Sequence, residues 1–525
     1  MAFPLSTRMP LMKSHSFDDR PQWVLFISLK RAGSCCRTCL CVKGLAACLL
    51  LSALSLGMPQ AAVASDAVLP KSSDVLASMR KTADWQLANP GKDSPLHWTQ
   101  AALYTGMMVL GDIAADPKYR AAMMAVGRGN DWKTGERPYH ADDHCVGQMY
   151  CEMYTLERDP AMIGPLRERF DFILAHPSIA GVEVITKIGG IPAGVMRWWW
   201  CDALFMGPPA WTKLYSVTGE TKYLDFMIRE WKATSDFLYD RDEHLYFRDQ
   251  TYFQKKEANG AKVFWSRGNG WVLGGIVRVL QVLPSDHPAR PFFEGQLREM
   301  AEAALKCQQP DGLWRPSLLD PASYPIPESS GSGFFCYAFT WGVNQGLLPR
   351  ARFQPAALKA WSALLALIEP DGKLTHVQPV GSDPRKFDPG LSHTYGVGSF
   401  LLAGSEIYRM ALFAELPHAR LRIRNTSNSL RPQEGVEIVW AALRKKLPGA
   451  TEETVAVMDG LAARWLPAQI SGTKSKLLLQ ADFLPRQSRI FEVFAGVPRS
   501  SLPPSGKAPV STPRGPRLKA EWLKK

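Results

Sequence analysis

The chain has 525 residues, 46% of them hydrophobic, and a formal net charge of +13; that length supports more than one domain. The charge resembles a nucleic-acid signature only until it is located. Residues 1–64 hold seven Lys/Arg against two Asp/Glu and residues 495–525 hold seven against one, which leaves the body close to neutral. A nucleic-acid protein carries its charge on a folded face, so that class is set aside.

Residues 44–59 (GLAACLLLSALSLGMP) form an apolar run preceded by Lys30, Arg31, Arg37 and Lys43 and followed by Ala62-Val63-Ala64 before Ser65. The run is short for a membrane span. It predicts a signal peptide within a 1–64 leader, cleavage after Ala64, and a periplasmic or secreted protein with no membrane anchor left after cleavage. Five of the ten cysteines lie in this leader, and Cys145, Cys151, Cys201, Cys307 and Cys336 remain. An odd, scattered set is no disulfide framework, and without a CxxC pair it suggests no zinc site.

From about 72 to 410 the sequence reads as helices separated by Gly/Pro/Asp turns. Turn-and-helix segments echo one another at Lys118-Tyr119 and Lys222-Tyr223, and again at Pro310-Asp311-Gly312 and Pro370-Asp371-Gly372. This predicts helical hairpins of roughly 50–60 residues, about six of them around an axis; bundles and solenoids are the alternatives. Residues 417–494 change to strand-length runs such as Val436-Glu437-Ile438-Val439 and Arg489-Ile490-Phe491-Glu492-Val493-Phe494, and predict a small β-sandwich. Residues 497–525, rich in Pro, Ser, Lys and Arg, predict a disordered basic tail.

Several stretches carry chemistry. Tyr139-His140-Ala141-Asp142-Asp143-His144 opens a helix. The two carboxylates either cap it or belong to a dense titratable cluster; a metal lacks a third and fourth ligand at helical spacing. Residues 197–215, RWWWCDALFMGPPAWTKLY, lead three tryptophans into Asp202, with Pro208-Pro209 set to bend or start a helix. Asp202 is either a helix cap or a carboxyl kept protonated in an apolar pocket, ready to act as an acid. His244 lies in a polar stretch among aromatic residues, Asp242 to Asp249. Residues 264–271, FWSRGNGW, frame Arg267 with Trp265 and Trp271. Glycines let the backbone approach a ligand, indoles suit sugar faces, and an arginine can clamp a carboxylate at two points. Ser392-His393-Thr394-Tyr395 places polar groups at another hairpin end.

WCDALFMGPPAWTKLY, FWSRGNGWVLGGI, YGVGSFLLAGSEIYRM and ESSGSGFFCYAFTWGVNQGLL together resemble the unsaturated rhamnogalacturonyl hydrolases of glycoside hydrolase family 105, and more distantly the unsaturated glucuronyl hydrolases, over roughly 96–410. The resemblance implies a mainly α fold, an (α/α)6 six-hairpin barrel, here followed by the small C-terminal β-sandwich. It implies release of a 4,5-unsaturated uronic acid from the non-reducing end of pectin-type oligosaccharides by hydration of the C4=C5 bond, with no cofactor and no metal. Asp202 is then the acid/base and Asp143 the second carboxylate, with Asp142 the second choice. His244, Trp265, Arg267 and Trp271 line the site, and Trp98 and Trp200 are platforms. The partner is a small acidic oligosaccharide. A polysaccharide lyase and a non-catalytic glycan-binding protein are the rival readings; a lyase creates the unsaturated chromophore that such a hydrolase destroys.

Overall fold

The computed structural model describes residues 68–183, 197–504 and 518–523. The leader and its cleavage point lie outside them. The protein is mostly helical, with its two larger sheets in the C-terminal region.

The helical part alternates inner and outer helices. The inner ones are α2 (Trp98–Ile113), α5 (Gly147–Glu157), α8 (Pro208–Thr218), α10 (Ser266–Leu280), α12 (Ser329–Gln345) and α14 (Thr394–Glu415). The outer ones are α1 (Ser72–Ala88), α3 (Lys118–Gly129), α6 (Gly164–Ala175), α9 (Thr221–Leu238), α11 (Arg290–Lys306) and α13 (Arg350–Leu365). Two short helices, α4 (Ala141–His144) and α7 (Ala203–Met206), precede α5 and α8. A helix apolar all round belongs inside a fold and one with a single apolar stripe belongs at its surface. Accordingly every residue of α10 is buried, whereas α9 buries one face through Tyr223, Met227, Trp231 and Leu238.

Each inner helix packs on the next, and α14 packs on α2, so the six form a closed ring. Small residues permit that closure. A Cβ on Gly398 would lie 2.4 Å from the Ala102 carbonyl oxygen, so α14 and α2 meet almost backbone to backbone. Pro208 and Pro209 occupy the first turn of α8, where a missing N–H costs nothing.

Beyond the ring, β3 (His418–Asn425), β5 (Ala456–Asp459), β6 (Trp465–Leu466) and β9 (Ser488–Phe494) share one antiparallel sheet with β10 (Leu518–Trp522). β4 (Arg431–Val439), β7 (Ala468–Ile470) and β8 (Lys476–Phe483) form the other; β1 (Tyr239–Asp240) and β2 (Leu245–Tyr246) make a hairpin within the helical part. Leu421, Ile423, Phe491 and Val493 from one sheet and Val436, Ile438, Leu477 and Leu479 from the other make a common core. The basic tail departs from its reading as disordered. Residues 518–522 pair in antiparallel register with β3, from Leu518 opposite Asn425 to Trp522 opposite Leu421. Composition suggested disorder, but Leu518 and Trp522 pack against the sandwich core, an apolar contact that composition does not register.

The sheets dock on the C-terminal ends of the inner helices. Trp341 Nε1 donates to Leu461 O at 2.7 Å and Gln345 Nε2 to Gly460 O at 3.0 Å, while the Arg409 guanidinium also reaches Gly460 O. Met458, Trp465 and Phe494 join the apolar core of the helical part. All five cysteines among the described residues are free and buried.

Candidate active site

The residues singled out by the sequence collect, with one exception, around the N-terminal ends of the inner helices. Thr394 Oγ1 donates to Thr99 O at 2.8 Å, and the Trp98 and Tyr395 rings lie 5.3 Å apart. The rim thus joins the first and last inner helices. Helix N-termini carry unpaired N–H groups and positive dipole ends, which favour an anionic ligand.

Asp202 immediately precedes α7, yet its side chain makes no capping hydrogen bond. Its Oδ2 lies 3.6 Å from Cys201 Sγ and 3.5 Å from Arg248 Nε. The residue is 8% exposed. Burial raises its pKa, and the nearby charges of Arg248 and Arg267 only partly oppose that rise. Arg248 is set by the hairpin: its carbonyl accepts the Cys201 N–H at 2.9 Å, which ties the end of that hairpin to the Asp202 segment. Its Nη1 donates to Asp249 Oδ2 at 2.7 Å and its guanidinium lies over Trp199 at 5.2 Å, but its Nε has no hydrogen-bond partner.

The adjacent pair Asp142 and Asp143 is divided by Arg137. Asp143 accepts the Arg137 backbone N–H at 2.7 Å and its guanidinium at 2.6 Å and 3.2 Å. Burial pushes Asp143 up, but those Arg137 interactions outweigh it and hold the carboxyl below the usual range. Asp142 stands in the first turn of α4. Burial, with the neighbouring Asp202 and Asp143 charges, lifts it from 3.8 to about 7 against the pull of Arg137 and Arg248. The carboxyl that shares a field with Asp202 and can carry a proton is therefore Asp142. His140 Nδ1 lies 3.6 Å from Asp142 Oδ2. This is not an ion pair, because burial depresses the imidazole to about 3 and leaves it neutral. The His140 ring packs 4.7 Å from Trp200, which lies 5.0 Å from Trp199.

Arg267 does not offer a free two-point clamp. It is fully buried; Nη1 donates to Gln378 O at 2.6 Å and Nη2 to Pro379 O at 2.8 Å. Its guanidinium sits between Trp265 at 4.4 Å and Tyr395 at 4.9 Å. Trp265, 2% exposed, donates through Nε1 to Gln378 Oε1 at 2.9 Å. Trp271 is a core residue, packed on Phe334 at 4.5 Å and Phe205 at 4.8 Å. Trp200 is also buried, and of the four tryptophans Trp98 alone keeps a partly exposed ring.

The exception is His244. It sits at φ +56° in the turn of the β1–β2 hairpin, 3.2 Å from the Tyr239 hydroxyl and 3.6 Å from Glu299 on the outer helix α11. The residue of that stretch which reaches the site is Arg248, where the strand re-enters the rim. Sequence reasoning gave Arg248 and His140 no role, although both stood inside stretches already singled out. The signal for Arg248 was a basic residue closing an apolar run, Leu245 to Phe247. Among the described residues no group of three or more His, Cys, Asp or Glu is placed to hold a metal ion.

Asp202, buried, and Asp142, half-buried, both biased toward protonation beside cations and indoles, equip the rim for acid–base chemistry. The model of Glycosyl Hydrolase Family 88 matches residues 72–411, and the chain belongs to that family. It is 37% identical over 345 residues to the unsaturated 3S-rhamnoglycuronyl hydrolase of Formosa agariphila, which covers 64% of this chain and 91% of that protein. Among solved structures it resembles a glycosyl hydrolase family 88 protein from Bacteroides vulgatus (29% identity, TM-score 0.59, 65% of this chain and 99% of that one). It also resembles a protein named a polysaccharide lyase (32% identity, TM-score 0.59, 66% of this chain and 99% of that one).

Proposed function

We propose that the ring of six helix pairs is the (α/α)6 barrel implied by the sequence motifs, and that its rim hydrolyses a 4,5-unsaturated uronyl unit from the non-reducing end of rhamnose-containing acidic oligosaccharides. The observation that carries this reading is the Asp202–Asp142 pair, in which burial favours a proton on each carboxyl. Asp202 donates its proton to C4, and positive charge develops at C5 and the ring oxygen. Water then adds at C5 and gives its proton back to the carboxylate. The resulting hemiketal opens, and the rest of the sugar leaves. Asp142 is the second carboxyl; the Asp202 charge beside it helps to hold its proton. Asp143 orders the Arg137 loop. Arg248, whose guanidinium stands beside Asp202, receives the uronate carboxylate, and the partly exposed Trp98 supplies a face for the sugar ring.

Rhamnose enters this reading because the relative named above acts, by its name, on a rhamnoglycuronyl substrate. The likeness to a protein named a polysaccharide lyase supports a second reading, β-elimination at the same rim. The two are separated by one assay. Incubation with an unsaturated rhamnose-linked disaccharide should bleach the ultraviolet absorbance of the C4=C5 chromophore, and Asp202→Asn should slow this about a thousandfold, roughly 4 kcal/mol, at unchanged Tm. An increase of that absorbance on the intact polymer identifies a lyase instead. Export completes the proposal: mature protein from its host starts at Ser65, which N-terminal sequencing tests.

A further inference from the structure

A cavity of about 540 Å³ lies at the other end of the helical ring, in the seam between the helices and the sheets. Its helical wall comes from α3 and the end of α5, with Ala121, Met124 and Arg158; its sheet wall comes from β6 and β8 and the turn before β6, with Arg464, Trp465, Gln480 and Asp482. The family match ends at residue 411, so half of this cavity is built by a domain outside the shared catalytic part. It therefore belongs to a property beyond the shared reaction.

Its chemistry narrows the ligand. Arg158 is paired with Asp482, and Arg464 Nη2 lies 3.2 Å from Asp459. Positive and negative groups nearly balance, so a bare anion finds no excess charge. What the wall offers is donor and acceptor side by side, next to apolar surface from Met124 and Trp465. Paired donor and acceptor groups beside an apolar face suit the vicinal hydroxyls and C–H face of a sugar, and the volume falls within the range of about 300–1,000 Å³ usual for ligand pockets.

We propose that the seam cavity is a second, non-catalytic saccharide site that holds a short segment of the same glycan away from the rim. The ligand class rests on the glycan reading of the rim; the existence of the site does not. The probe is a saturated rhamnose–galacturonic acid disaccharide, which lacks the C4=C5 bond and is not consumed. Calorimetric titration into the full chain should show binding. Ala121→Trp, which fills the cavity from an exposed helical position, and Gln480→Leu, which removes a polar wall group, should each weaken it at least tenfold. Turnover of the unsaturated disaccharide and Tm should stay unchanged in both. If Ala121→Trp does not fold, Gln480→Leu decides. Binding that neither variant weakens, or no binding by the wild-type chain, overturns the proposal. Absence of turnover in the wild-type chain, with variant-sensitive binding retained, defeats the reading of the rim and leaves this one standing.

Discussion

Two neighbouring aspartates with opposite fates show what a single arginine does. Arg137 pulls Asp143 into a bidentate pair and leaves Asp142 half-buried beside Asp202. Asp142→Asn should therefore cost about a thousandfold in kcat, roughly 4 kcal/mol, with little change in Tm. Asp143→Asn should lower Tm, because the Arg137 loop loses its anchor. The pH dependence follows from the directions of the two shifts. Asp142 is raised from 3.8 to about 7, so the fold binds its proton more tightly than the unfolded chain does. That contribution is complete in acid below the ordinary value and is lost as pH rises through about 7, the region where activity should also fall. Asp143 is lowered, so its contribution is present above the ordinary carboxylate value and is lost as acid protonates it. Tm measured against pH in the wild-type chain and both variants separates the two. The sequence marked the cluster but not the division within it. Arg137 is visible in the chain, but its pairing depends on a turn that brings it back over α4.

At the scale of elements, the sequence spoke most clearly where the pattern was simplest. The run WVLGGIVRVL is apolar nearly all round, and α10 is buried along its length. The same pattern already indicated that Trp271 faces a core instead of a sugar, a signal that its neighbouring glycines and arginine obscured. Arg248 was illegible for a different reason. Its partner Asp202 lies on another element, and the link between them is a backbone hydrogen bond from Cys201 to the Arg248 carbonyl. The ring itself depends on close backbone approach. Gly398→Ala would place a methyl group 2.4 Å from the Ala102 carbonyl, with no flexible side chain to yield, so it should destabilise the protein by about 1–3 kcal/mol. Chemical denaturation of the variant measures this directly.

Over the whole molecule, helices and sheets form one body. The apolar core runs across the seam through Met458, Trp465 and Phe494, and Trp341 reaches Leu461. Trp341→Phe, which keeps the ring and removes the N–H, should lower stability by about 1 kcal/mol without changing kcat, as denaturation and turnover of the same sample would show. The closure that brings the first and last helices of the helical part together has a kinetic consequence. Ser72 donates to Glu415 through its backbone N–H at 2.6 Å, across 343 residues of sequence. Contacts so remote in the chain carry a large loop-closure entropy and form late. Trp98 and Tyr395 meet across that same closure, so a refolding chain should regain most of its helical circular dichroism before it regains any activity. The lag between the two signals times the meeting of its ends.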